Sequence, residues 1–242
     1  MKTFFNKAVK WQYLHANPLT HVEYLKQDDS KKIRSLTAVE VQKVLDNSPE
    51  WFYPILFTML YTGMREGEVI HLEWSDVDFE KRVIHIQKKD FWMPKSSGRG
   101  IRERDIALAG ELVTFLKMHK LKDKSPSPLR GEGAARGDNW VFHNPDGEQL
   151  KPGLRKVFGR ITAKLGFPEV TQIHALRHTY ATHLIKCCKD VAVAKAQLGH
   201  TDIRTTMKYA DMLTDYQAQA ADLLDYGVGE GKKPGRVVRV GL

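Results

Sequence analysis

His174-Ala175-Leu176-Arg177-His178 opens the stretch that decides how this chain reads; the stretch runs on through Leu198-Gly199-His200 and closes on Met207-Lys208-Tyr209-Ala210-Asp211. A helix from about His174 to Cys188 puts His174 and Arg177, three residues apart, on one face roughly a turn from each other. An imidazole and a guanidinium then point at the same place. A second helix around Val191 to Leu198 is ended by Gly199, which leaves His200 in a turn where a side chain is aimed rather than buried. A short helix near Thr205 to Tyr209 presents a tyrosine that reads as exposed. Imidazoles, a guanidinium and a phenol in this order suggest chemistry on an anion.

Composition agrees with an anionic partner. Among 242 residues, 38 are Lys or Arg and 29 are Asp or Glu, a formal charge of +9, which favours polyanions and nucleic acid above all. Charge alone leaves open a basic protein without such a ligand. With 42% hydrophobic and 28% charged residues the composition is that of an ordinary soluble globular protein, long enough for one large or two small domains. Cys187 and Cys188 are adjacent, so they give neither a disulfide framework nor spaced zinc ligands, and a cytoplasmic, reducing home is the simplest reading. The N terminus lacks the sustained apolar core of a signal peptide, and no apolar run approaches the roughly 20 residues that span a bilayer, so no membrane partner is expected.

Read in order, residues 1–34 form a helix with Trp11, Tyr13 and Leu14 on its apolar side, stopped by Asn17-Pro18 and followed by a charged linker from Gln27 to Arg34. Thr37-Ala38-Val39-Glu40 matches a capping box, and Val39, Val41 and Leu45 are the apolar face of the helix it starts. Trp51 to Tyr61 is apolar almost all round, a buried helix that Gly63 terminates. Arg65 then stands at the start of the next helix, where Glu68 can orient it by a bidentate contact; a plain surface ion pair is the bland reading.

Val83 to Ile86 reads as a strand after a turn over Asp76 to Lys81, with Arg102 to Leu108 as its antiparallel mate. Lys95 lies in the basic loop between them, as a mobile ammonium that enters a site when an anion fills it, in competition with Lys88 and Lys89. Gly110 to His119 and Leu154 to Leu165 are further helices, the latter with Leu154, Val157, Phe158 and Ile161 inward. Residues 122–138, rich in Pro, Gly, Ser and charge, read as an exposed insertion, Thr214 to Tyr226 as a last helix, and residues 227–242 as a basic flexible tail.

Several chemistries find no support. His174 and His178 have the spacing of a zinc pair but lack the glutamate of the metalloprotease pattern and any further ligand set, so no metal is expected. His178 and His183 read as packing or surface histidines without a role. No motif surrounds either cysteine as a nucleophile, and the absence of a Gly-Lys-Ser/Thr phosphate loop argues against a nucleotide cofactor.

Together, in this order, the motifs resemble the catalytic domain of the tyrosine recombinases, the phage integrase family, from about Leu36 to Tyr226. They are Thr62-Gly63-Met64-Arg65-Glu66-Gly67-Glu68, the hairpin lysine Lys95, His174-Ala-Leu-Arg177-His, Leu-Gly-His200 and Tyr209. The resemblance implies an α+β, mostly α-helical fold with a small antiparallel β-hairpin or sheet. It implies cutting of double-stranded DNA by attack of Tyr209 on a backbone phosphate, leaving a 3′-phosphotyrosyl link and a free 5′-hydroxyl, with no metal and no cofactor. By the same resemblance Arg65 and Arg177 grip the nonbridging oxygens, His200 donates to the phosphate, His174 accepts or positions the tyrosine proton, and Lys95 protonates the leaving oxygen.

Members of the family carry a helical core-binding domain ahead of the catalytic one, and residues 1–34 resemble only its last helix and linker. The expected organisation is therefore that remnant, a catalytic domain over 35–226 and the tail. The implied role is site-specific recombination for a phage or other mobile element, in a nucleoid-associated assembly of several protomers on DNA, a tetrameric synapse. The alternatives are a truncated or inactive DNA-binding relic and a type IB topoisomerase-like relaxing enzyme.

Overall fold

The computed structural model describes residues 1–23, 34–94, 103–122, 139–146, 148–200, 202–207 and 209. The chain divides into two compact units, Met1–Ile33 and Arg34–Leu242. In the first unit, helix α1 (Lys2–Lys10) ends well before Asn17-Pro18, with Gln12 at a left-handed φ of 63° just past its end. Asn17 ties the returning chain to the helix instead of stopping it. Its side-chain amide donates to the Lys2 carbonyl at 3.2 Å and to Asn6 Oδ1 at 2.6 Å, and its Oδ1 accepts from the Leu19 N–H at 2.8 Å. Trp11, Tyr13 and Leu14, the expected apolar side, lie beyond the helix and are exposed.

The second unit begins with α2 (Ala38–Asp46), and the capping box is present: the Glu40 N–H donates to Thr37 Oγ1 and the Thr37 N–H to Glu40 Oε2. Such a cap stabilises a helix by about 1 kcal/mol. The buried face is Val44 and Leu45 with Val41 alongside, while Val39 is 66% exposed. Residues two apart stand about 200° apart on a helix, so Val39 and Val41 cannot share a face. α3 (Tyr53–Thr62) is the expected buried helix, and Gly63, at φ 62°, ends it. A Cβ on Gly63 would stand 2.4 Å from Tyr180 Cδ1 and 2.9 Å from Leu198 Cδ2, so the turn needs glycine both for its dihedral and for space. α4 (Glu66–Ile70) follows at once.

The three-stranded antiparallel sheet has the order β1 (Val77–Asp78), β2 (Val83–Ile86), β3 (Arg104–Ala107). The expected hairpin is β2 and β3; β1 adds a short strand inside the region read as a turn. Ile84 pairs with Ile106 on the buried face, and His85 with Asp105 on the other, where the imidazole meets the carboxylate at 2.7 Å. Beyond it come α5 (Gly110–Lys122), α6 (Leu154–Lys164), α7 (His174–Cys188), α8 (Val191–Leu198) and α9 (Ile203–Met207). α7 and α8 have the bounds the sequence suggests, and α9 ends before Tyr209. The chain is α+β and mainly helical.

Two apolar clusters fix the site. The larger joins Phe52, Ile55 and Leu56 to Ile84, Leu112, Phe158 and Leu176, so that α7 packs across α3. The smaller gathers Ala181, Ile185, Ala194, Leu198 and Tyr209 between α7 and α8. The insertion from residue 123, the Lys95 loop, the helix expected over Thr214 to Tyr226 and the tail lie outside the described residues. Among the described residues no helix is long and apolar enough to cross a membrane.

Candidate active site

Arg65 is the N-cap of α4, and its side chain is 22% exposed. Its guanidinium Nη1 donates to Glu68 Oε1 at 2.9 Å and its backbone N–H to Glu68 Oε2 at 2.8 Å. The bidentate partner of Glu68 is a different residue, Arg104 of β3, whose Nη1 and Nη2 meet the two carboxylate oxygens at 2.8 Å each. Arg104 Nε also donates to the Gln197 carbonyl at 3.2 Å, which links the sheet to the end of α8. Burial alone would raise the Glu68 pKa, but the hydrogen bonds and charge of Arg104, with help from Arg65, hold it down at about 2. Glu68 is therefore a buried carboxylate shared by two guanidinia, a stronger and more structural role than orienting Arg65.

Arg177 is the largest of the fully buried side chains, at 2% exposure. Its Nη1 donates to the Gly63 carbonyl at 2.6 Å and its Nη2 to the Leu198 carbonyl at 2.5 Å. Both acceptors lie at helix C-termini, those of α3 and α8, where unpaired carbonyls and the negative dipole end favour a cation. Burial, and then the nearby Arg65, push the Arg177 guanidinium down to about 9, so it remains charged at neutral pH.

His200 follows Gly199, which ends α8 at φ 64°. Its Nδ1 contacts Thr206 Oγ1 at 2.8 Å. Burial, with Arg177 and Arg65 behind it, lowers the imidazole to about 3, so the ring is neutral at physiological pH. In the tautomer whose Nδ1 accepts from the threonine hydroxyl, Nε2 carries the proton and can donate to a ligand. His174, exposed at the head of α7, is shifted in the same direction by partial desolvation and then by Arg177 and Arg65. Its ring stands edge-on to that of His178, with centroids 4.8 Å apart.

Tyr209, which the sequence suggests is exposed, is 4% exposed, because α7 and α8 close over the residue that follows α9. Burial raises its phenol to about 12, against the pull of Arg177. Its hydroxyl is hydrogen-bonded to Nδ1 of His178, a residue given no role in the sequence reading. His183, given none either, does pack, with Nε2 3.1 Å from the Leu36 carbonyl oxygen.

Lys95 lies outside the described residues. Of its two competitors, Lys89 is held in the fold: Nζ donates to the His71 carbonyl at 2.8 Å and to Asp76 Oδ2 at 2.6 Å. Lys88 is exposed. Arg104 escaped the sequence reading although a signal was present. It alternates with Ile106 and Leu108, both buried, and so belongs to the inward face of its strand.

The histidine shifts place Arg65, Arg177, His174 and His200 in one electrostatic neighbourhood. Arg65 and Arg177 act on both imidazoles, and Arg177 acts on the Tyr209 phenol as well. Among the described residues no group of three or more His, Cys, Asp or Glu side chains is arranged to hold a metal ion.

The model of the phage integrase family matches residues 34–215. That span is most of the chain, and the chain belongs to this family, whose members are tyrosine recombinases, enzymes that break and join DNA. A tyrosine recombinase XerC-like protein of Caldanaerobacter subterraneus subsp. tengcongensis is 26% identical over 250 residues, covering 93% of this chain and 63% of the relative. A tyrosine recombinase XerD of Listeria innocua is 28% identical over 217 residues, covering 86% of this chain and 68% of that protein. The chain thus spans about two thirds of the length of these relatives. Among solved structures, the Tn1549 transposon integrase in complex with circular intermediate DNA superposes with a TM-score of 0.69 at 25% identity, covering 91% of this chain and 75% of that one. The XerA recombinase, at 22% identity and a TM-score of 0.59, has the same fold.

Proposed function

We propose that this chain is a site-specific recombinase that cuts and rejoins double-stranded DNA through a 3′-phosphotyrosyl intermediate, in the service of a phage or other mobile element. What supports the reading is that Arg65 and Arg177 act together on His174 and His200, while Arg177 also acts on the buried Tyr209. Tyr209 attacks the phosphorus. Arg65 and Arg177 bind the nonbridging oxygens and stabilise the charge that grows in the transition state, for which planar, preorganised donors are suited. His200 donates through Nε2, and His174, at the mouth of the site, contacts the same phosphate or the attacking oxygen. Lys95, carried by the β2–β3 loop, protonates the departing 5′-oxygen. A general acid of this kind contributes on the order of a hundredfold or more.

The Tn1549 integrase, as its structure states, is bound to circular intermediate DNA, and a duplex partner for this chain follows by likeness and from its charge of +9. In the same reading residues 1–34 act as the last helix and linker of a core-binding domain, 35–226 as the catalytic domain and 227–242 as a basic tail, and several protomers join on DNA in a tetrameric synapse associated with the nucleoid.

The test is incubation with nicked suicide duplexes made from the sequences flanking the gene. A protease-sensitive covalent adduct on the 3′-phosphate side, confined to one sequence, is the expected result. Salt-sensitive binding with no adduct on any duplex would reduce the chain to a DNA-binding relic, and relaxation of plasmids sharing no sequence would make it a topoisomerase.

A further inference from the structure

We infer that His178, rather than His174, accepts the proton of Tyr209 when the tyrosine attacks DNA; this rests on the strand-cleaving function proposed above. The geometry separates the two histidines. His178 lies one turn further along α7 and places Nδ1 on the Tyr209 hydroxyl. His174, at the exposed head of the helix, faces His178 edge-on with centroids 4.8 Å apart and shares the field of Arg65 and Arg177. A base beside two guanidinia is a poor place to create a third positive charge, whereas the hydroxyl of the buried phenol already stands within hydrogen-bond reach of His178 Nδ1.

The step balances within the chain. The Tyr209 O–H bond breaks and its proton passes to His178 Nδ1, which must therefore be the unprotonated nitrogen of a neutral ring. The phenolate oxygen forms a bond to phosphorus, and the bond from phosphorus to the 5′-oxygen breaks with its electron pair going to that oxygen. In the reverse step the imidazolium of His178 returns the proton to the tyrosine as the phosphotyrosyl bond opens. His178 also keeps the buried hydroxyl hydrogen-bonded before DNA arrives, which an apolar pocket formed by Ala181, Ile185, Ala194 and Leu198 could not do.

The experiment measures single-turnover cleavage of suicide duplexes by the full chain, using wild type, His178→Asn, His178→Gln, His178→Ala, His174→Asn and Lys95→Ala. Asn places an acceptor oxygen close to where Nδ1 stands but cannot take up a proton at neutral pH. Cleavage by His178→Asn and His178→Gln is expected to fall on the order of a hundredfold with DNA affinity retained. Added imidazole is expected to restore part of the rate of His178→Ala. A 5′-bridging phosphorothiolate, which needs no acid to leave, should rescue Lys95→Ala and leave His178→Asn slow.

Wild-type rates in both His178→Asn and His178→Gln, or rescue of His178→Asn by the sulfur leaving group, would overturn the assignment. If the His178 variants fail to fold, the 13C chemical shift of Tyr209 Cζ in wild type and His174→Asn decides: a hydroxyl without a hydrogen bond to His178 in wild type, or one that loses it only in His174→Asn, overturns the assignment as well. Absence of any adduct with wild type, in contrast, is a failure of the strand-cleaving reading itself.

Discussion

The carboxylate of Glu68 and the guanidinium of Arg104 face each other through two contacts of 2.8 Å, joining α4 to β3 inside the protein. Because Arg65 shares the same carboxylate at 2.9 Å, the position of Arg65 depends on a residue in the sheet. Removing one member of a buried ionic group costs more than the group contributes, since the remaining charge stays buried without a partner. Arg104→Ala is therefore expected to lower unfolding free energy by about 3 kcal/mol, read from urea titrations, and to reduce adduct formation. Arg104→Lys keeps the charge but not the fork, and should fall between the two. Unchanged stability in Arg104→Ala would show that Glu68 is satisfied without it.

Gly199 makes a second prediction. It sits at φ 64°, and a Cβ there would stand 2.5 Å from Arg104 Cδ and 2.9 Å from its Nε. Gly199→Ala is expected to cost about 1–2 kcal/mol from the left-handed backbone alone, and to shift both Arg104 and the adjoining His200. The check is a urea midpoint together with the His200 imidazole resonances, which should move in Gly199→Ala and stay in place in an alanine substitution at the exposed Val193.

The sign of the pH dependence follows from His200. Its unfolded ring titrates near 6.5 and its folded ring near 3, so between those values the unfolded chain binds more protons. Stability is then complete above about 6.5 and falls as pH drops toward 3, with His174 acting in the same direction. Glu68, held at about 2 against an ordinary 4.5, adds a further loss only below about 4.5. The urea midpoint should decline between pH 6.5 and 4.5, and His200→Asn should flatten that part of the curve. An equally steep decline in the variant would assign it to other groups.

What was legible in the sequence had local causes. Gly63 and Gly199 mark helix ends because left-handed turns favour glycine, and the capping box at Thr37 lies within four residues. The bounds of α7 and α8, and with them the placement of Arg177 and His200, came from such signals. The burial of Tyr209 was not legible, because the surfaces that cover it belong to α7 and α8 and are assembled only by folding. His178 was passed over for the same reason: its partner lies 31 residues away. Arg104 was hidden differently, as one charge in a basic stretch whose strand periodicity, ending in Ile106 and Leu108, was the sole clue to its inward direction. Val39 was misplaced by spacing alone. Lys95 lies outside the described residues.

In the proposed function Tyr209, buried and hydrogen-bonded to His178, becomes the nucleophile toward a DNA phosphate held by Arg65 and Arg177. The most direct measurement is the protease-sensitive adduct on a 3′-side suicide duplex, compared between wild type and Tyr209→Phe at equal DNA occupancy, with the linked residue identified by mass spectrometry of the DNA-bound peptide. An adduct carried on Tyr209 is expected in wild type, and none in Tyr209→Phe. An undiminished adduct in Tyr209→Phe would rule out Tyr209 as the nucleophile.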